Sequence, residues 1–132
     1  MHVAFSPEGD QVLTASSDQT ARVWNVDNGQ ELLVLQGHKQ SIIHTAFSPD
    51  GVHILTASED MTARIWGSIT GEELVVLRGH ERGIGHAVFS SDGRHILTAS
   101  MDHTARVWDV INGEELLRLQ GHERGVGHAA FS

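Results

Sequence analysis

The stretch Asp18-Gln19-Thr20-Ala21-Arg22-Val23-Trp24 decides how the chain is read, because it returns twice almost unchanged. Asp60-Met61-Thr62-Ala63-Arg64-Ile65-Trp66 and Asp102-His103-Thr104-Ala105-Arg106-Val107-Trp108 follow it, each 42 residues after the last. A fixed period of this length marks an array of one structural unit, each copy closing its core against a neighbour.

Outward from that stretch, the unit spans about residues 2–43, then 44–85 and 86–127, and residues 128–132 repeat the start of a fourth. His2–Ser6 is a short apolar strand that ends in the turn Pro7-Glu8-Gly9. There Pro fixes one backbone angle and Gly accepts an unusual one. Val12–Ser16 and Thr20–Trp24 are the next strands, the latter rich in β-branched and aromatic residues. After the turn Asp27-Asn28-Gly29, Glu31–Gln36 is a fourth strand, broken by Gly37-His38. Residues 44–48, 54–58, 62–66 and 74–78 repeat the order, as do 86–90, 96–100, 104–108 and 116–120. Gly113–Gln120 contains good helix formers, but its copies Gly29–Gln36 and Gly71–Arg78 add Val, and the segment is too short for an independent helix. Four antiparallel strands per unit result.

Hydrophobic residues make up 39% of the chain in short runs, as in a folding sequence, and none is long enough to span a bilayer. Nothing leader-like follows Met1, so cytoplasm is the default compartment. The absence of cysteine rules out disulfides and thiol chemistry. A net charge of −8 repels a phosphate backbone and argues against nucleic acid as a partner.

Four side chains recur in every unit: Thr14, Asp18, Trp24 and His38, then Thr56, Asp60, Trp66 and His80, then Thr98, Asp102, Trp108 and His122. Strand alternation puts Arg22 and Trp24 on one face, Ala21 and Val23 on the other. A buried indole N–H needs an acceptor. A Thr hydroxyl can accept from it and continue the chain to the two nitrogens of His and the carboxylate of Asp, which satisfies every member. The same residue types could form a hydrolytic relay, but three equally spaced copies in one small chain argue for folding rather than catalysis.

Other recurrences have simple structural readings. The pairs His38/His44, His80/His86 and His122/His128, with His53, His95 and His103, invite a metal, yet their spacing crosses from loop to strand and no Cys strengthens the set. Neither metal nor cofactor is expected, since no Gly-rich phosphate loop precedes a helix. Arg22, Arg64 and Arg106 lay their stems along the sheet and pair with an acid. Phe5, Phe47, Phe89 and Phe131 fill the space between stacked sheets.

The chain strongly resembles the WD-repeat (WD40) beta-propeller family. The resemblance rests on Phe5-Ser6-Pro7-Glu8-Gly9, Leu13-Thr14-Ala15-Ser16, Asp18 to Trp24 and Gly37-His38, with their copies, and covers nearly the whole chain. The naming dipeptide is intact at Trp108-Asp109 and relaxed at Trp24-Asn25 and Trp66-Gly67. The resemblance implies an all-β fold: blades of four antiparallel strands, here three repeat units plus one extra strand. Each sequence repeat then straddles two blades. The implied structural tetrads are His38, Thr56, Asp60 and Trp66 in one blade, and His80, Thr98, Asp102 and Trp108 in the next. Thr14, Asp18 and Trp24 stand without a preceding Gly-His loop, and Ser16, Ser58 and Ser100 are alternatives to the threonines.

Propellers ordinarily need at least four blades. The ring is therefore expected to close through missing sequence or through copies of the chain, two giving six blades and three giving nine. The implied function is a non-enzymatic scaffold for a protein partner. The alternatives are a regulatory or sensor module of a larger protein, and a fragment or engineered chain that self-assembles. Partner contacts are expected at the top of the ring, at Ser17, Glu59 and Met101 in the turns and at Lys39, Ser41, Ile43, Arg82 and Arg124 in the loops.

Overall fold

The computed structural model describes residues 2–120 and 130–131. Twelve strands form three four-stranded antiparallel sheets, with no helix among the described residues. The first sheet holds β1 (His2–Phe5), β2 (Gln11–Ala15), β3 (Ala21–Asn25) and β4 (Glu31–Leu35) in chain order. The second holds β5 (Ile42–Phe47), β6 (His53–Ser58), β7 (Ala63–Gly67) and β8 (Glu73–Leu77), and the third β9 (Ile84–Phe89), β10 (His95–Ser100), β11 (Thr104–Asp109) and β12 (Glu115–Gln120). Each sheet is one blade. The blades stack through their first strands and stay open rather than closing into a ring.

Gly113–Gln120, despite its good helix formers, contributes β12, whose Leu117 and Leu119 pair with Val107 and Ala105. Inner strands two and three begin earlier than the apolar run suggests, at Ile42 and Ile84, and a bulge lies between Ile42 and His44. Of the expected extra strand at 128–132, Ala130 and Phe131 lie in no strand and the other three residues fall outside the described ones.

Two seams hold the stack together. Leu13, Ala15, Ala21, Val23 and Leu35 of the first blade bury against Ile42, Ile54 and Trp66 of the second. Leu55, Ala57, Ala63, Ile65 and Leu77 of the second bury against Ile84, Ile96 and Trp108 of the third. Full burial of one Leu or Ile stabilises by roughly 1.5–3 kcal/mol, so these seams carry most of the fold. Phe47 and Phe89 pack against the seams as expected. Phe5, on the open face of the first blade, is 65% exposed, and Phe131 is also exposed, so neither fills a seam.

Each blade has the same bulge. Val23 pairs with Leu33 while Trp24 pairs with Glu31, which leaves Leu32 as the extra residue. Leu74 and Leu116 occupy that place in the other two blades. The bulge turns all three leucines toward solvent and sets a glutamate opposite each tryptophan.

The inner strands carry His2, His44 and His86 at equivalent positions, and their rings stack from blade to blade with centroids 4.0 and 4.3 Å apart. Between blades, the chain passes through Gly37 at φ 150° and Gly79 at φ 141°. A Cβ on Gly37 would lie 2.9 Å from Arg64 Nη1 and 3.3 Å from the Trp66 ring. Glycine is therefore required where the chain presses against the next blade.

Candidate functional site

Trp66, on β7, points into the first seam and donates its Nε1–H to Thr56 Oγ1 on β6 at 2.9 Å. Thr56 Oγ1 stands 2.6 Å from His38 Nε2, and His38 Nδ1 stands 2.8 Å from Asp60 Oδ2. An indole N–H can only donate, so the threonine hydrogen is left for His38 Nε2, and Nδ1–H is left for the carboxylate. The direction of every bond follows from the single donor at one end and the pure acceptor at the other.

The third blade repeats this arrangement. Trp108 Nε1 to Thr98 Oγ1 is 2.8 Å, Thr98 Oγ1 to His80 Nε2 is 2.7 Å, and His80 Nδ1 to Asp102 Oδ2 is 2.7 Å. In each case the histidine comes from the connection leaving the preceding blade. In the first blade, Trp24 Nε1 donates to Thr14 at 3.0 Å, while Asp18 binds Thr20.

Threonine, not serine, occupies the relay. Ser58 Oγ donates to the Ser41 carbonyl at 2.8 Å and accepts from Asp60 N, which pins the inter-blade loop to the β6–β7 turn. Ser100 does the same with the Gly83 carbonyl and Asp102 N.

Residues beyond the expected four join in. Thr62 donates to Asp60 Oδ1 at 2.6 Å, and Arg64 Nη1 donates to Glu73 at 2.6 Å while Nη2 lies 3.8 Å from Asp60. Arg106 pairs with Asp102 and Glu115 in the same way. Thr20, Thr62 and Thr104, and likewise Glu31, Glu73 and Glu115, recur at the repeat spacing, so periodicity alone could have marked them.

Electrostatics follow burial. Burial disfavours the Asp60 anion, but hydrogen bonds from His38, Thr62 and the Lys39 N–H outweigh it and hold the carboxyl well below the usual carboxylate range. Asp102 is treated alike by Thr104, His80 and the Glu81 N–H. Burial lowers the His80 pKa, against the pull of Asp102, so the imidazole is neutral at pH 7, as the bonding direction requires. Exposure separates the copies: the Asp side chain is 53% exposed at Asp18 but 6% at Asp60 and 4% at Asp102.

Of the expected contact positions, Ser17, Lys39, Ile43, Glu59, Arg82 and Met101 are exposed and Ser41 is half-buried, while Arg124 falls outside the described residues. They lie along one edge, at the end of the strands where β2 turns into β3. Backbone bonds tie this edge together: Ile42 N to the Ser16 carbonyl crosses from the second blade to the first, while Glu59 N to the Ser41 carbonyl and Met101 N to the Gly83 carbonyl each bind a turn to the loop that enters the same blade. His38 and His44, which spacing might pair on a metal, join different clusters, and among the described residues no group of three or more His, Asp or Glu could hold a metal ion. No helix among the described residues is long and apolar enough to cross a membrane.

Two measurements probe this geometry. Trp66→Ala should cost about 3–5 kcal/mol in urea denaturation, and Trp24→Ala clearly less, because only the former opens a buried cavity. Acid should also destabilise the chain in two stages. The unfolded chain binds more protons than the folded one wherever His80 and the two aspartates titrate below their ordinary values. Stability is therefore full above pH 6.5, falls as pH drops through 6.5, and falls again below 3.8. A denaturation midpoint that does not move between about pH 7.5 and pH 3 would contradict this assignment.

The model for "WD domain, G-beta repeat" matches residues 1–25, 29–67 and 71–109. The second and third matches each take the outer strand of one blade with three strands of the next, so the sequence repeat straddles two blades. The chain is 40% identical over 40 residues to the general transcriptional corepressor TUP1 of Saccharomyces cerevisiae, a match covering 30% of this chain and 6% of that protein. It is 42% identical over 40 residues to WD repeat-containing protein 86 of Homo sapiens, covering 30% of this chain and 11% of the relative. It is 39% identical over 41 residues to dynein assembly factor with WD repeat domains 1 of Xenopus laevis, covering 31% and 10%. These matches therefore span only a small part of each curated relative. The chain belongs to the WD domain, G-beta repeat family, whose repeats typically mediate protein–protein interaction.

Proposed function

We propose that the chain is a non-enzymatic scaffold that binds a partner protein along the edge bearing Ser17, Lys39, Ser41, Ile43, Glu59, Arg82 and Met101, and that copies of it close a ring. The use of the polar groups supports the scaffold. The hydroxyls of Thr56 and Thr98 are fully buried and bonded between an indole and an imidazole, so neither can serve as a nucleophile. His38, Asp60 and their copies act as structural tetrads. Side chains that differ from blade to blade gather instead at the exposed edge, where a partner can reach them.

The observation that carries ring closure is the complementarity of the two open faces. Val3, Phe5 and Trp24 on the first blade correspond to Thr45, Phe47 and Trp66, on the face that the second blade turns toward the first. Val107, Leu117 and Leu119 on the third correspond to Ile65, Val75 and Leu77, which line the second seam. A copy placed head to tail can reuse a seam that the chain already builds twice, two copies making six blades or three making nine. The small share of each relative that is matched favours a second reading, in which the blades form a regulatory module of a larger protein.

Sedimentation of the purified chain should give a multiple of the 14.4 kDa chain mass. Phe5→Glu and Leu119→Glu, each at an exposed position, should reduce it to a single mass with an unchanged β-sheet circular dichroism spectrum. A wild-type chain that stays single at tens of micromolar would end the closure proposal. For the scaffold, affinity capture should retain a protein that the Lys39→Glu/Arg82→Glu variant loses; equal retention by both would remove this edge from the contact.

A further inference from the structure

At the opposite ends of the strands, the first and second blades leave a cleft of about 750 Å³ between the β1–β2 turn, the β5–β6 turn and the β7–β8 turn. Its volume lies within the roughly 300–1,000 Å³ usual for ligand clefts. The apolar wall includes Leu32, turned outward by the bulge, together with Val52 and the 87% exposed Ile69. Glu8, Asp10 and Asp50 stand on its rim, and no Lys or Arg lines it. Asp50 is fixed in place by bonds from Ser48 Oγ at 2.6 Å and Val52 N at 3.0 Å, which hold its carboxyl below the usual range.

The chain contains its own comparison. The corresponding cleft between the second and third blades is about 270 Å³ and is lined by no carboxylate. Val110, buried there, occupies the place of Ser68, whose hydroxyl in the larger cleft bonds the Gly51 carbonyl at 2.6 Å. The same framework thus builds one larger cleft lined by carboxylates and one smaller cleft without them in its lining, where Val52 takes the place of Asp10 and Arg94 that of Val52. Docking into the open cleft must cover apolar surface while neutralising several carboxylates, and a positively charged apolar segment meets both demands.

We propose that the cleft between the first two blades docks an extended protein segment carrying a branched apolar side chain beside Lys or Arg. The apolar side chain lies against Leu32, Val52 and Ile69, and the cation meets Glu8, Asp10 and Asp50. This deepens the protein-binding reading but uses the other edge, so the Lys39→Glu/Arg82→Glu variant leaves it untouched and either site can fail alone.

The test is fluorescence anisotropy with a capped, labelled seven-residue peptide whose central leucine is flanked by arginines, beside a twin with glutamates in their place. The basic peptide should bind saturably, about tenfold or more tighter than the acidic one at low salt, and weaken as salt rises. Glu8→Lys, at an exposed position, should weaken binding by about three- to tenfold. Ser68→Val copies the third blade and should narrow the cleft and lower affinity with the β-sheet circular dichroism spectrum unchanged. Weakening in either variant, with fold intact, supports the site. Equal affinity for the two peptides, no saturable binding, wild-type affinity in both variants, or displacement of the peptide by a second copy of the chain would each overturn it.

Discussion

One hydroxyl group, that of Thr56, holds two blades in register. It accepts from the Trp66 indole on its own blade and stands within bonding distance of His38, which arrives from the blade before. The apolar seam supplies most of the energy but is tolerant of sliding, because hydrophobic burial has no direction. The relay has direction: the indole N–H donates to Thr56, whose own hydrogen is left for His38 Nε2, and Nδ1–H is left for the Asp60 carboxylate. Burial lowers the pKa of the equivalent His80 in the third blade, while Asp60 keeps its charge through hydrogen bonds that replace water.

The three copies form an internal experiment in which the residues are constant and the surroundings vary. Arg22, Arg64 and Arg106 each pair with an acid on the outer strand, yet their side chains are 38%, 8% and 3% exposed. Among the described residues no blade covers the first copy and no imidazole lies over Thr14, and its aspartate and arginine stand in solvent. An ion pair in water contributes little, whereas the same pair under a neighbour is screened far less. The motif is therefore a potential that packing realises, and a blade is complete only with another one against it.

Much of this was legible in the residues. The turn signals and alternating apolar positions place each of the twelve described strands within about two residues, because Gly, Pro and Asp act locally and the period removes ambiguity at each site. The bonding order of Trp, Thr, His and Asp also follows from donor and acceptor counts. The choice of Thr56 over Ser58 was not legible, since both side chains leave the same face of β6 and only the fold shows Ser58 drawn to the Ser41 carbonyl. Nor was the burial of Arg64, which comes from the blade packed over it, since Arg22 pairs with Glu31 in the same way and stays exposed. Phe5 illustrates the limit best: it is equivalent to Phe47 and Phe89, yet lies exposed, because burial belongs to the neighbour and not to the residue.

The division between framework and surface has a geometric cause. The relay, seam and bulge fix side chains along the middle of each strand, so substitutions there must keep both shape and hydrogen bonding. The strand ends carry turns, where the backbone closes on itself through Asp and Ser side chains such as Asp50 with Ser48 and Asp60 with Thr62. Those closures leave exposed side chains between them unconstrained, and Glu59 can differ from Met101 without disturbing the stack. Variation concentrates at the two edges for this reason, and the faces at the two ends of the arc also expose the framework itself. A chain built in this way presents two kinds of contact: variable edges that can be tuned to a partner, and uniform faces suited to another blade.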